Sequence, residues 1–348
     1  MTGKITPKMV CGMALLATLF LAAPALADQA NPETLPDSVY MAPQELVPVA
    51  GGRRLNLFCM GTGAPTVLLD AGHGESMVVW RAVQGQVARF TRACAYDRAG
   101  FGFSDPPVAA PDAAAAVADI HALLGAGKIA TPILYAGHSM AGLYGVLLQA
   151  LHPEDVAGEV LVDPAFAGQA RLMMADLPAA VQNGAIAMYQ ARLAHMQTCA
   201  AKAQTPPLPE NCREKESGPA ALGPELAALQ QRQTANPAYL NTNAGEYAAF
   251  LPGMGQTDNE RILDAHPARF GDKPLIILTH DHMTYPGVSP EQNAQIEKAW
   301  RAGHDRLAAL SAKGVNRVVP GSGHYIQIGQ PGAVVDAIRE AVMAMREK

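Results

Sequence analysis

The chain lacks any excess of positive charge. Of its 26 lysines and arginines, two lie among the first few residues, and the remainder has 24 basic against 31 acidic residues. No basic stripe appears along the sequence, although proteins that bind nucleic acids or anionic membranes through electrostatics carry one. We therefore expect neither a nucleic acid nor an anionic membrane as a partner.

Long apolar runs are also missing after the N-terminus. The apolar run from Met9 to Leu21 is shorter than the ~20 residues that span a membrane. It follows Lys4 and Lys8 and precedes Ala25-Leu26-Ala27. A positive start, a short apolar run and a small-residue cleavage site are typical of an export signal. The sequence predicts cleavage after Ala27 and a periplasmic or secreted protein with no stable membrane anchor.

Cysteine is scarce, and no two cysteines have the CxxC spacing of many zinc and redox sites. Cys11 lies in the predicted signal, so four cysteines remain afterwards: Cys59, Cys94, Cys199 and Cys212. An even number in an exported protein indicates disulfides rather than metal ligation.

Short runs of β-forming residues alternate with helical patterns. The runs are 55–59, 66–70, 93–96, 132–136, 159–162, 275–279 and 315–319. The helical patterns are 77–90, 113–124, 139–151, 291–310 and 333–346. Such alternation predicts a mostly parallel sheet with helices on both faces, an α/β fold.

One long segment, residues 165–270, lacks strand signals and is rich in Ala, Gln, Met and Pro. We interpret it as a helical lid between residues 28–164 and residues 271–348, which form the two parts of one core after the signal at 1–27. Its larger apolar residues suggest an apolar substrate pocket, although they equally suit a core. They are Met173, Met174, Met188, Tyr189, Tyr239 and Phe250.

The hexapeptide Gly137-His138-Ser139-Met140-Ala141-Gly142 follows the run 132–136 and begins a helix-forming stretch. This context is typical of a nucleophile elbow, a sharp turn that exposes a serine. The residues two before and two after the serine must be small, and Gly137 and Ala141 meet that requirement. The pattern predicts that Ser139 is a nucleophile.

A serine hydroxyl is a weak nucleophile near neutral pH and needs a base within hydrogen-bond reach. His324 is the candidate, because it lies in the glycine-flanked loop Gly321-Ser322-Gly323-His324-Tyr325 after a predicted strand. His138 lies next to the serine, but its side chain is expected to point away from the turn, so we interpret it as structural.

A third motif, Asp97-Arg98-Ala99-Gly100-Phe101-Gly102-Phe103-Ser104-Asp105, is similar to a DRxGxGxSD loop. With this loop, the elbow and the late histidine, the chain from about Arg53 onward resembles the α/β-hydrolase fold family, specifically its serine esterase and lipase-like members. The resemblance implies a helical lid after the sixth strand and no cofactor.

The resemblance also implies an acid partner for His324, which holds the imidazole tautomer. Most members take it from the loop after the seventh strand, and some from after the sixth. Asp163 follows the predicted run 159–162, which corresponds to the family's sixth strand, and is our preferred candidate, while Asp281 after the seventh remains the alternative. We interpret His280-Asp281-His282 as a solvated loop rather than a metal site, since neighbouring side chains of an extended chain point alternately.

The family's oxyanion hole takes one N–H from the residue after the nucleophile and another from the loop after the third strand. These correspond to Met140 and His73, with Gly74 as the alternative for the second. Gly72 and Gly74 also suit a simple tight turn.

In this family the second and fourth strands are neighbours, which implies a Cys59–Cys94 disulfide. Cys199 and Cys212 fall within the lid segment and are predicted to form the second disulfide.

The residues together predict an exported carboxylic-ester hydrolase that uses Ser139, His324 and Asp163. A lactonase, an amidase or a carbon–carbon hydrolase with the same three residues is an alternative, as is a non-catalytic binding protein. Dehalogenases and epoxide hydrolases of this fold resemble serine enzymes but use an aspartate at the elbow. We expect a small, apolar acyl substrate, no cofactor and no metal.

Overall fold

The computed structural model describes residues 34–205, 207–213, 222–250 and 255–347. The predicted export signal at 1–27 lies outside the described residues, as do short parts of the predicted lid. Within the described ranges, no helix is both long and apolar enough to cross a membrane.

A single eight-stranded sheet forms the centre of the described chain. Its strands are β1 Glu45–Pro48, β2 Arg54–Met60, β3 Val67–Asp70, β4 Ala93–Tyr96, β5 Ile133–His138, β6 Val156–Val162, β7 Leu275–His280 and β8 Gly314–Val319. Their order is β1-β2-β4-β3-β5-β6-β7-β8. β2 runs antiparallel to both neighbours, and all other pairs are parallel. The predicted α/β fold with a mostly parallel sheet is confirmed.

The helices are α1 Gln84–Val87, α2 Ala113–Ala126, α3 Ala141–Leu151, α4 Gln169–Met174, α5 Ala179–Lys202, α6 Pro224–Thr234, α7 Pro237–Phe250, α8 Asp258–Ala265, α9 Pro290–Ala308, α10 Ile326–Gly329 and α11 Pro331–Arg346. α2, α3 and α9 pack on one face of the sheet, and α1 and α11 pack on the other. Alternate strand residues face opposite sides, so Leu68 joins the first core while Val67 and Leu69 join the second.

In the described parts of the segment between β6 and β7 there are five helices, α4 to α8. This confirms a helical insertion after the sixth strand, while the boundaries at 165 and 270 stay a prediction. Within the insertion, α5 packs mainly against α7. A disulfide between Cys199 and Cys212 joins the end of α5 to the segment that follows it.

The other predicted disulfide is also present in the structure. Cys59 of β2 and Cys94 of β4 are direct partners in the antiparallel register and are bonded to each other. The neighbouring second and fourth strands implied by the family resemblance therefore bring these two residues together.

Two local predictions differ from the structure. The sequence analysis missed β1, a four-residue edge strand that ends in a proline. The helix predicted over 77–90 is wrong, because the segment forms a 3-10 turn, Met77–Trp80, and the short helix α1. The β-branched pair Val78-Val79 and Gly85 lower the helix propensity of this stretch.

Candidate active site

Ser139 lies at the turn between β5 and α3. Its φ of +52° falls in the left-handed region, which is rare for residues other than glycine. A Cβ on Gly137 would approach the carbonyl oxygen of Ala141 to 3.0 Å, and one on Gly142 would lie 2.3 Å from Pro164 Cβ. The sequence analysis recognised the demand for small residues at 137 and 141 and missed the one at 142.

The structure brings together the three residues predicted to act as a unit. His324 Nε2 lies 3.0 Å from Ser139 Oγ, and His324 Nδ1 lies 2.5 Å from Asp163 Oδ2. Asp281, the alternative acid, instead accepts a hydrogen bond of 3.0 Å from the backbone N–H of Gly321. Asp281 therefore holds the loop that carries His324 and does not contact the imidazole as an acceptor.

Asp163 is fully buried and accepts four hydrogen bonds. Oδ1 accepts from the backbone N–H of His280 at 3.1 Å and from Trp300 Nε1 at 3.0 Å, and Oδ2 accepts from the rings of His280 and His324. Burial acts to raise the pKa of Asp163, but the bonds from the two histidines outweigh it and hold the pKa well below its usual range. Asp163 is therefore an ionised acceptor.

His280 is the residue of this site that the sequence analysis assigned wrongly. It was expected in a solvated loop, but it is the last residue of β7 and is fully buried. Its Nε2 lies 3.1 Å from both carboxylate oxygens of Glu297 on α9. Burial acts to lower the pKa of His280, and the bonds to Asp163 and Glu297 raise it to about 9. The apolar run that precedes His280 was the one signal that its strand extends this far.

The oxyanion hole was predicted to use the backbone N–H groups of Met140 and His73, with Gly74 as the alternative to His73. Among the described residues, neither the N–H of Met140 nor that of His73 donates a hydrogen bond, and the N–H of Gly74 is equally free. The ring of His73 donates from Nε2 to the carbonyl oxygen of Asn243 in α7 at 2.9 Å. This bond joins the loop after β3 to the helical insertion and leaves the backbone N–H available.

His138 has no contact with the serine hydroxyl. Its Nδ1 lies 3.1 Å from Glu75 Oε2, and its Nε2 donates to the carbonyl oxygen of His324 at 3.1 Å. Burial opposes the charged forms, but attraction between the pair raises the pKa of His138 and lowers that of Glu75. Glu75 also accepts from the N–H of Gly72 at 2.7 Å, so the pair fixes the loop after β3.

Arg98 of the DRxGxGxSD-like loop is a second support that the sequence analysis did not assign. Its guanidinium donates to the carbonyl oxygens of Ala71 and, at 2.6 Å, of Gly72. It also pairs at 3.0 Å with Asp70 and with Glu246 of α7. One buried cation thus ties the loop after β3 to the insertion.

A cavity of about 240 Å³ opens above Ser139 and His324. Five of the six apolar residues singled out in the lid line it: Met173, Met174, Met188, Tyr189 and Phe250. The sixth, Tyr239, instead donates to the carbonyl oxygen of Gly74 at 3.0 Å and packs edge-on against Phe101. The lining is predominantly apolar.

Three groups of potential metal ligands occur among the described residues: His195 with Cys199 and Cys212, His121 with His152 and Asp155, and Asp163 with His280 and His324. The cysteines of the first group form a disulfide. In the second, the two rings stack with centroids 3.9 Å apart and planes within 11°, so their in-plane lone pairs run parallel and do not converge on one ion. The third group is already joined by hydrogen bonds.

Comparison with known proteins concerns the family and the fold of the chain. The chain is 30% identical over 105 residues to protein YqjL of Bacillus subtilis, and the match covers 30% of the chain and 42% of YqjL. A thermophilic esterase from Thermogutta terrifontis shares the fold with a TM-score of 0.52 at 19% identity, over 87% of this chain and 99% of the esterase.

Est816, described as an N-acyl homoserine lactone degrading enzyme, has a TM-score of 0.53 at 15% identity, over 85% of this chain and 99% of Est816. At such identities the structural likeness concerns the fold alone. Residues 66–337 match the model of the alpha/beta hydrolase family. The chain therefore belongs to the alpha/beta hydrolase family.

Proposed function

We propose that this hydrolase is an exported serine enzyme that cleaves a carboxylic ester through an acyl-serine intermediate. The observation that carries the proposal is the continuous series of hydrogen bonds from Ser139 through His324 to Asp163, which lies at the floor of an apolar cavity. Such a series converts a weak alcohol nucleophile into a reactive one.

In the first half of the reaction, Ser139 Oγ attacks the ester carbonyl carbon while its proton passes to His324 Nε2. The carbonyl electron pair moves to the oxygen and gives a tetrahedral oxyanion. When this intermediate collapses, the bond to the alcohol oxygen breaks, and His324 returns the proton to that oxygen. The alcohol leaves, and the acyl group remains on Ser139.

In the second half, water takes the place of the alcohol. His324 accepts a proton from the water as its oxygen attacks the acyl carbon, and then protonates Ser139 Oγ as the acid product leaves. Asp163 remains ionised throughout, because its four donors favour the carboxylate form. It holds the tautomer of His324 and stabilises the imidazolium that forms in each half.

The oxyanion is assigned to the free N–H groups of Met140 and His73, which the structure leaves without other acceptors among the described residues. The bonds of the 71–75 loop to Arg98 and His138 preorganise the second donor. The apolar cavity supports an apolar acyl chain as the part of the substrate that is bound.

A lactone is the second candidate substrate, because Est816 has this fold and is described as degrading one. The steps are the same for a cyclic ester, except that the leaving alcohol stays attached to the acyl group. An amidase or a carbon–carbon hydrolase would also use the same three residues.

Export is supported by the signal-like N-terminus and by the two disulfides. Disulfides persist in oxidising compartments and are rare in the cytosol. The periplasm or the exterior of the cell is therefore the proposed location.

The test is labelling with a fluorophosphonate, followed by intact mass and peptide mapping. We expect one adduct on Ser139 and none in Ser139→Ala, with the thermal midpoint of unfolding as the control for folding. Ser139→Ala should lower kcat on the preferred ester by about 10⁶-fold, and adding His324→Ala should make little further difference. Labelling of the alanine variant, or near-normal turnover by it, would show that another residue is the nucleophile.

A screen of acyl esters of graded chain length, lactones and amides then separates the candidate substrates. Hydrolysis that favours apolar acyl esters supports the ester assignment. Faster turnover of lactones would replace it with the second candidate, and labelling without any turnover would favour a binding protein.

A further inference from the structure

His280 lies behind the three proposed residues and takes no part in the steps above. Its ring sits between two carboxylates, with Nδ1 2.7 Å from Asp163 and Nε2 3.1 Å from both oxygens of Glu297. An ionised carboxylate accepts hydrogen bonds and donates none. Both ring nitrogens must therefore carry protons for both contacts to be hydrogen bonds, and the ring is then a cation.

Among the described residues, Asp163 and Glu297 are the two acidic groups whose charge acts on His280. The titratable groups that face it are Asp163 after β6, Glu297 and His304 on α9, Tyr285 before α9, and His324 after β8. Burial lowers the pKa of His304 to about 4 and raises that of Tyr285, so both are neutral near pH 7. The remaining neighbour, His324, is the one whose charge matters for the reaction.

His280 and His324 share one acceptor atom. Nδ1 of His280 lies 2.7 Å from Asp163 Oδ2, and Nδ1 of His324 lies 2.5 Å from the same oxygen. Nitrogens of the two rings lie within 4.8 Å of each other. A positive charge on one ring at this distance disfavours a positive charge on the other. Glu297 contacts the opposite edge of the His280 ring. Its negative charge favours a positive charge on His324, but less strongly than the nearer His280 disfavours it.

We infer that His280 is a positioning residue: its imidazolium fixes the carboxylate of Asp163 and lowers the proton affinity of His324. The base is thereby kept neutral, and able to take a proton from the serine, to a lower pH than an uncompensated aspartate would allow. This inference rests on the proposed function only through the role of His324 as the base.

The first test removes the negative charge of Glu297, and with it the positive charge of His280, and keeps the hydrogen bonds of the His280 ring. In Glu297→Gln the amide can donate to a neutral His280 Nε2, and Nδ1–H still donates to Asp163. We expect the acidic limb of the pH profile of kcat/KM to move up by on the order of 1 pH unit, with kcat on the plateau close to that of the wild type. A purely structural role would lower the plateau and leave the limb in place.

Glu291→Gln is the matched control, because Glu291 is an exposed residue of the same helix and loses the same charge. Its profile should superimpose on that of the wild type. If the pH profile of Glu297→Gln also superimposes on that of the wild type, or if the acidic limbs of both variants shift equally, the inference is wrong.

The second test does not require activity. Histidine side-chain ¹⁵N NMR of the wild-type protein at pH 8 should show a buried imidazolium whose two N–H protons exchange slowly and which is lost in Glu297→Gln. His138 also has a raised pKa, but its partner is Glu75, so its signal should not respond to the substitution.

A wild-type spectrum at pH 8 with no imidazolium that responds to Glu297→Gln would overturn the charged state of His280. If that signal is present while fluorophosphonate fails to label Ser139, the proposed function fails and the charge assignment stands. The two failures are therefore distinguishable.

Discussion

Two carboxyl groups of the same chain segment, Glu159 in β6 and Asp163 directly after it, are both fully buried. Asp163 accepts four hydrogen bonds, whereas neither oxygen of Glu159 has a hydrogen-bond partner among the described residues. Burial raises the pKa of Glu159 well above its usual value, while donors hold that of Asp163 below it. Burial thus favours the neutral form of Glu159, and the donors favour the ionised form of Asp163, four residues further along the chain.

The difference shows that donors, rather than depth, decide the charge of a buried carboxyl group in this fold. Glu159 lies inside the sheet against α3, where a Cβ on Gly145 would come within 2.9 Å of Oε2. Asp163 lies at the carboxyl end of the sheet, where loops and α9 supply polar groups. Ligand sites of open α/β sheets lie at that end, so the same edge provides both the donors and the access for a substrate.

Among the changes that test this contrast, the largest expected effect comes from giving Asp163 an uncharged side chain and so making it resemble Glu159. Asp163→Asn presents an amide to donors that require an acceptor, and the tautomer of His324 is no longer held. We expect kcat to fall by about 10⁴-fold, measured on the preferred ester. The matched variant Asp281→Asn should retain most activity, because Asp281 bonds the backbone of Gly321 rather than the imidazole.

The opposite ranking of these two variants would reverse the assignment of the acid. Asp281 would then be the partner of His324 during turnover, as in the more usual family arrangement. Equal and small losses in both would argue against an acid partner altogether.

The second prediction concerns Glu159. Its raised pKa means that the folded protein keeps a proton which the unfolded chain releases above about pH 4.3. Stability therefore falls as the pH rises from that value toward the folded-state pKa. Glu159→Gln removes the titration, so its free energy of unfolding should match the wild type near pH 4 and exceed it increasingly above, by up to about 1.4 kcal/mol per pH unit.

Denaturant unfolding between pH 4 and pH 8 measures this difference, with Glu45→Gln as the control at an exposed strand position. A pH-independent difference between Glu159→Gln and the wild type would mean that Glu159 is ionised in the folded protein. The contrast with Asp163 would then disappear.

Local patterns in the sequence were sufficient for much of the site and fold. The turn at Ser139 requires small neighbours, and the loop of His324 is marked by glycines, so both are visible as short motifs. The strands β3 to β7 were predicted because buried parallel strands are apolar runs, and β2 and β8 were predicted from their β-forming residues. β1 was missed, since it has four residues and pairs along one edge only.

What could not be predicted depends on contacts between distant residues. Glu297 meets His280 across the gap between α9 and β7, and no local pattern marks that contact. Glu159 begins a predicted strand and has the appearance of an exposed residue, yet it is buried. In both cases, tertiary packing rather than local propensity determines the environment of the charge.

The smallest expected effect comes from removing one hydrogen-bond donor from Asp163. Trp300→Phe keeps an aromatic ring but loses the Nε1–H that lies 3.0 Å from Oδ1. A hydrogen bond to a charged group contributes about 1.5–3 kcal/mol, so the variant should unfold at lower denaturant concentration. Because its donors keep Asp163 ionised well below the usual pKa of an aspartate, this contribution persists into the acidic range and is lost only as the pH falls through the lowered folded-state pKa.

The only other tryptophan of the chain provides the control. Trp80 is fully buried, and its Nε1 has no acceptor among the described residues, so Trp80→Phe changes packing without removing a hydrogen bond. We expect the stability deficit of Trp300→Phe to shrink only as the pH falls below about 3, where Asp163 begins to take up a proton in the folded variant, and that of Trp80→Phe to stay constant. Parallel pH dependences for the two variants would show that Trp300 contributes packing alone, and that three donors are enough to keep Asp163 ionised.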